Sequence, residues 1–87
     1  MIGQFALSKA GHDKGSLYVI IAQEQDFLFL CDGKTKTPEK PKKKKRKHVQ
    51  PIHTQVDDAL LQKLSAGGKV YPEEIKYAIK QYQKQNN

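Results

Sequence analysis

Seven of the nine residues from Lys40 to His48 (KPKKKKRKH) are Lys or Arg. That run limits what the chain can bury and where. Between Thr37 and Val49 there is no Val, Ile, Leu, Phe or Tyr, so a core must be assembled from the residues before and after. From Gly33 to His48 nine basic residues face one acid, Glu39, for a local charge of +8, while the rest of the 87-residue chain sums to −1. A single-sign block of this size either stays solvated or meets a polyanion, and nucleic acid is the commonest polyanion in a cell.

Three readings of the run compete. It is a solvated tail, or a short basic nuclear localisation signal of the PKKKKRK kind, which needs only an exposed extended segment. Or it is a phosphate-contacting surface, which would release counterions and bind with a strong salt dependence. The apolar Val49 and Ile52 that follow it favour ordered backbone and hence the third reading, with which an address function can coexist.

The first third holds most of the β-branched and aromatic residues. Phe5 and Leu7 are two apart and share a face of a short strand over Gln4 to Ser8. Lys9 to Ser16 (KAGHDKGS) is turn chemistry, with Gly11 and Gly15 free to take positive φ. Leu17 to Ala22 (LYVIIA) and Phe27 to Cys31 (FLFLC) are dense in strand formers and are joined by the polar Gln23 to Asp26, which predicts a hairpin. Asp32-Gly33 predicts a further turn, after which Lys34 to Thr37 pairs briefly. Pro38 and Pro41 put the next stretch in a loop or at an edge. A closing strand is expected over about Lys44 to Ile52. Five short strands, tight turns and a thin core predict a small SH3-like barrel.

The signature strand-SKAGHDKG-strand-LFLCDG over residues 1 to 33 resembles a KOW motif. It is the version found in large-subunit ribosomal proteins of archaea and eukaryotes and in their small bacterial relatives. The bacterial relatives carry a similar Pro-Lys-rich stretch at the position of PKKKKRKH (41 to 48). The resemblance covers about 50 residues. It implies an SH3-like barrel whose loop Lys9 to Ser16 contacts RNA, with Gly15 as the motif glycine.

Beyond residue 53 two helices are expected. Thr54, with Asp57 three residues on, resembles an N-cap, and Val56, Ala59, Leu60 and Leu64 fall on one face before Gly67-Gly68 ends the helix. Pro72, Glu73 and Glu74 open a second helix whose Ile75, Ala78, Ile79 and Tyr82 form an apolar stripe, with Lys76, Lys80 and Lys84 on another. Residues 83 to 87 are expected to fray. The helices must pack on each other or on the barrel. Covering an open barrel face is favoured over a protein-partner surface.

Among the aromatics, Phe5, Phe27 and Phe29 lie in runs that a core needs, and Tyr18 has the one outward position in the barrel. No sheet face with paired exposed aromatics is visible, so reading of single-stranded bases is not expected. Asp13 would cap the turn or hold Lys14 rather than touch a phosphate. Cys31, alone in an apolar run, reads as a buried thiol, and His48 and His53 lack partners at ligand spacing. No nucleophile, base and orienter come together, so no enzyme, metal or cofactor is expected. No apolar run approaches the roughly 20 residues of a membrane helix. With no signal-peptide pattern at the N-terminus, a soluble cytoplasmic monomer is expected.

The sequence therefore predicts a mainly β fold: an SH3-like KOW barrel over residues 1 to 53, including the basic segment 34 to 48, and a helical hairpin over 54 to 87. The expected function is binding of structured, ribosomal RNA through backbone contacts, in association with the ribosome. The candidate contacts are Lys9, His12, Lys14 and Gly15 in the loop, with Lys34, Lys36, Lys42, Lys43, Lys44, Lys45, Arg46, Lys47 and His48 in the basic segment. The alternative is a protein-interaction module whose lysine run is an address or a docking signal.

Overall fold

The computed structural model describes residues 1 to 86. Five strands, β1 (Gln4–Ser8), β2 (Leu17–Glu24), β3 (Phe27–Cys31), β4 (Lys42–Lys45) and β5 (Val49–Gln55), precede α1 (Asp58–Ala66) and α2 (Pro72–Gln85). The strands form one antiparallel sheet in the order β4-β3-β2-β1-β5. The first strand and the β2–β3 hairpin form where the apolar pattern puts them, but Gln23 and Glu24 pair with Leu28 and Phe27, so the expected four-residue connection is a two-residue turn, Gln25-Asp26.

The expected single strand from Lys44 to Ile52 is instead two strands joined by a 3-10 turn, Arg46–His48. The cause is topological. Lys42–Lys45 pairs with β3 at one edge of the sheet, and Val49–Gln55 pairs with β1 at the other. No straight strand reaches both edges, so the chain turns a corner. The backbone N–H of Arg46 donates to the Asp26 carbonyl (2.7 Å) on one side of that corner, and Lys9 N–H donates to the His48 carbonyl (2.8 Å) on the other.

Lys34 to Thr37 does not pair as a strand either. The Asp32 carboxylate accepts from the backbone N–H of Lys34 and of Lys36, both at 2.8 Å, and the Lys36 carbonyl accepts from the N–H of Asp32 and Gly33. These bonds close a tight turn and use the groups a ladder would need.

Alternation in the strands gives the sheet two apolar faces. On one, Ala6, Tyr18, Ile20, Leu28, Leu30 and Val49 are buried together, drawing β5 and β3 into a common core although they are not neighbours in the sheet. On the other, Phe5, Val19 and Cys31, which lie opposite one another along the ladder, are covered by Val56, Leu60 and Ile75. Both helices thus lie on the sheet, as their short length requires. Ile75 is fully buried, and burying such a side chain stabilises by about 1.5–3 kcal/mol. Tyr82 stacks on Phe5 with ring centroids 4.6 Å apart. The Lys63–Glu74 pair, 2.8 Å, links α1 to α2 and is exposed enough to contribute little.

The helix ends correct two expectations. Thr54 is part of β5, and the N-cap of α1 is Asp57, whose carboxylate accepts from Leu60 N–H at 2.9 Å. α2 continues through Gln85, so the fraying expected from residue 83 is not seen within the described part; Asn87 lies outside it.

Gly33 ties the turn to the helical layer. It has φ of +77°, and a Cβ there would fall on the Pro72 carbonyl oxygen and 2.7 Å from Lys76 N. Both the conformation and the close approach of the first turn of α2 exclude a side chain. We expect Gly33→Ala to cost about 2 kcal/mol or more, read as a lowered urea midpoint. An unchanged midpoint would contradict this packing.

Candidate nucleic-acid interface

The pairing of β4 with β3 decides which lysines face out. Lys42 and Lys44 lie opposite Leu30 and Leu28, on the face of the inner core, whereas Lys43 and Lys45 lie opposite Phe29 and Phe27 on the outer face. Lys44 points inward and its side chain is only 11% exposed. Its Nζ donates to the Asp13 carboxylate and to the Ala10 carbonyl, each at 2.8 Å. Lys44 is therefore not free to meet a phosphate; it clamps the β1–β2 loop onto β4.

Asp13 is the centre of this clamp. Its carboxylate also accepts from the Ser8 hydroxyl (2.9 Å) and the Tyr18 hydroxyl (2.8 Å), and Lys42 Nζ lies 3.6 Å away. The expected partner, Lys14, is instead exposed at the loop surface. Tyr18 faces inward, 4% exposed, because its ring fills the inner core while its hydroxyl reaches Asp13. Burial by itself would raise the Asp13 carboxyl, but the hydrogen bonds from Lys44, Tyr18 and Ser8 and the charge of Lys42 hold it well below the usual carboxylate range. Burial, helped by the hydrogen bond and charge of Asp13, pushes the Tyr18 phenol up to about 12.

With Asp13 neutralised, the loop and the basic corner are both left cationic. Lys9, His12, Lys14, Lys43, Lys45, Arg46 and Lys47 are exposed. Lys42 and His48 are half-buried, His48 holding Lys9 through its backbone. Gly15, exposed with φ of +89°, donates its N–H to the Ser8 carbonyl at 2.9 Å and closes the loop. The structure separates Lys34 and Lys36 from this group. Both sit in the Asp32 turn, where Lys34 borders a hollow of about 410 Å³ shared with Ser16, Lys76 and Lys80. The four-residue spacing of Lys76 and Lys80 is visible in the sequence, but their meeting with Lys34 depends on the helix docking at Gly33.

Phe27 and Phe29 correct a further expectation. Only Phe5 of the three phenylalanines is in a core; Phe27 and Phe29 are half-buried and belong to neither cluster. They share the outer face with Phe5, beyond the part that the helices cover. Lys43 Nζ lies 4.4 Å from the Phe27 ring centroid and 5.9 Å from that of Phe29.

Cys31 is fully buried and its thiol donates to the Lys36 carbonyl; burial pushes it up to about 11, which leaves negligible thiolate at neutral pH. Among the described residues no helix is long and apolar enough to cross a membrane. No protein-family model matches the chain, and no curated protein is significantly similar to it.

The clamp has a pH signature. Because the Asp13 carboxyl is depressed in the folded state, its contribution is whole above the ordinary carboxylate value of about 4 and is lost as pH falls below it. Because the Tyr18 phenol is raised, its contribution is whole below about pH 10 and is lost as pH rises through about 12. Asp13→Asn should cost about 2 kcal/mol at pH 7 and flatten the acid side of the stability curve. Urea unfolding across pH checks both limbs; an acid limb as steep in Asp13→Asn as in the parent would refute the assignment.

Proposed function

We propose that this protein binds structured RNA by its phosphate backbone, and ribosomal RNA in particular, as a ribosome-associated factor of the cytoplasm. The observation that carries this reading is the Asp13–Lys44 clamp, which holds the SKAGHDKG loop against the basic strand and leaves Lys9, Lys14, Lys43, Lys45, Arg46 and Lys47 exposed on one folded frame. A surface of cations held by a folded frame contacts phosphates without first losing the entropy of ordering a tail. Backbone contacts give affinity without base identity, so the shape of the RNA supplies most of the selectivity.

The strand order also supports reading the sheet as an SH3-like KOW barrel, with β5 returning to β1 and a single 3-10 turn between β4 and β5. The ribosomal assignment rests on the KOW resemblance of residues 1 to 48. The pairing of Lys42–Lys45 with β3 weighs against an address function, since one edge of the run is hydrogen-bonded and Lys44 is turned inward.

Salt dependence provides the test, with Lys44 left in place so that the clamp survives. Replacing Lys43, Lys45, Arg46 and Lys47 together by Ala should weaken binding to a structured rRNA hairpin by more than about tenfold. It should also flatten the slope of log K against log salt by about 3 to 4, the loss of roughly four duplex phosphate contacts. Affinity and slope equal to the parent's, in a variant with the parent's circular dichroism, would sink the proposal. A salt-resistant ribosome-free complex with a protein would favour an interaction module instead.

A further inference from the structure

Of three hollows among the described residues, one presents a ring among cations. The hollow between β5 and α2 has the rings of Phe5, Tyr77 and Tyr82 but no cation, and Asp57 is its one charged group. The hollow holding Lys34, Lys76 and Lys80 extends phosphate chemistry already described. The third, about 600 Å³, is bounded by Asp26, Phe27, Lys45, Arg46 and Lys47.

We infer that this third hollow is a stacking site for an unpaired nucleobase of the bound RNA, with Phe27 supplying the ring face and Lys45, Arg46 and Lys47 holding the flanking phosphates. The inference rests on the RNA-binding reading above and adds a preference that backbone contacts alone do not supply. Phe27 and Phe29 are strand residues that neither core uses, although they stand on a face whose other aromatic, Phe5, is covered by α2. An apolar ring left half-exposed inside a cationic surface is complementary to a ligand that is flat and apolar in one part and anionic in another. A nucleotide has that combination.

The present cover of the ring is Lys43, whose ammonium lies over Phe27 at 4.4 Å. A cation–π contact at an exposed site is weaker than base–aromatic stacking, so an arriving base displaces Lys43, and the freed ammonium becomes available to a phosphate. Asp26 is the one acid on the rim and keeps phosphate from its side, which directs the backbone toward Arg46 and Lys47. The corner is held in shape by the Arg46 N–H bond to the Asp26 carbonyl, so the ring and the cations do not need to assemble on binding.

The test compares two RNA hairpins of equal length, one fully paired and one with a single unpaired nucleotide, the latter also prepared with a fluorescent purine analogue at that position. The parent protein should bind the bulged hairpin about tenfold more tightly or better, the fold-change expected for one base stacked on an aromatic ring. It should also quench the analogue. Phe27→Leu, which keeps apolar bulk and removes the ring, should lose the preference and the quenching while binding the paired hairpin as the parent does. Equal affinity of the parent for both hairpins, or a preference that survives Phe27→Leu, overturns the stacking site and leaves the backbone reading intact. Binding to neither hairpin overturns both. An acidic tyrosine-containing peptide that binds saturably, with no discrimination between the RNAs, would assign the hollow to a protein partner and overturn the inference.

Discussion

A carboxylate in the middle of a basic surface repels the phosphates that surface would attract, and Asp13 is compatible with its position because four side chains absorb its charge and lone pairs. Ser8 and Tyr18 donate hydroxyls, Lys44 donates its ammonium, and Lys42 stands at 3.6 Å. Asp13 thereby joins the end of β1 and the start of β2, its neighbours along the chain, to the distant edge strand β4. At 15% exposure of the Asp13 side chain, the Lys44 pair works in a reduced dielectric and is worth more than a surface pair. The same contact occupies the inward-facing Lys44, while Lys43 and Lys45 stay on the outer face.

The sheet serves two layers, and the division between them explains why so small a chain can present so much charge. One apolar face is buried by strands of the sheet itself, with Val49 and Leu30 in the same cluster. The other is buried by α1 and α2, but only over Phe5, Val19 and Cys31. Covering that part fully with helices leaves β4 and the outer part of β3 open to solvent on one side. Gly33 is the point where the turn after β3 and the start of α2 are in direct contact, so the helical layer is aligned to the same strand that supports the lysines.

Much of this was legible from residue patterns. Gln4–Ser8 and Phe27–Cys31 are bounded as their apolar alternation and flanking turns indicate, and Gly67 and Pro72 punctuate the helices as their chemistry dictates. The basic strand was legible as charge but not as geometry. Consecutive lysines are identical at every register, and only the partner strand decides that Lys44 faces Leu28 and turns inward while Lys43 lies over Phe27. Tyr18 was misplaced because alternation alone does not show that a buried ring can have its hydroxyl satisfied by Asp13. Phe27 and Phe29 looked like core residues because they are apolar in an apolar run; where the helices stop covering the sheet is a tertiary matter. The corner at Arg46 followed from strands pairing at opposite edges, which no local signal encodes.

The uniformity of β4 has a consequence for how this surface varies. With the corner at Arg46–His48 fixed, losing two lysines from the run would bring Lys42 to the place of Lys44 opposite Leu28, again with a cation that can reach Asp13. The loop from Pro38 to Pro41, which belongs to no strand or helix, would take up the change in length. Loss or gain of a pair of lysines therefore preserves the alternation and the clamp, whereas loss or gain of a single one exchanges the inward and outward sets. Length variation in steps of two is the drift this architecture tolerates.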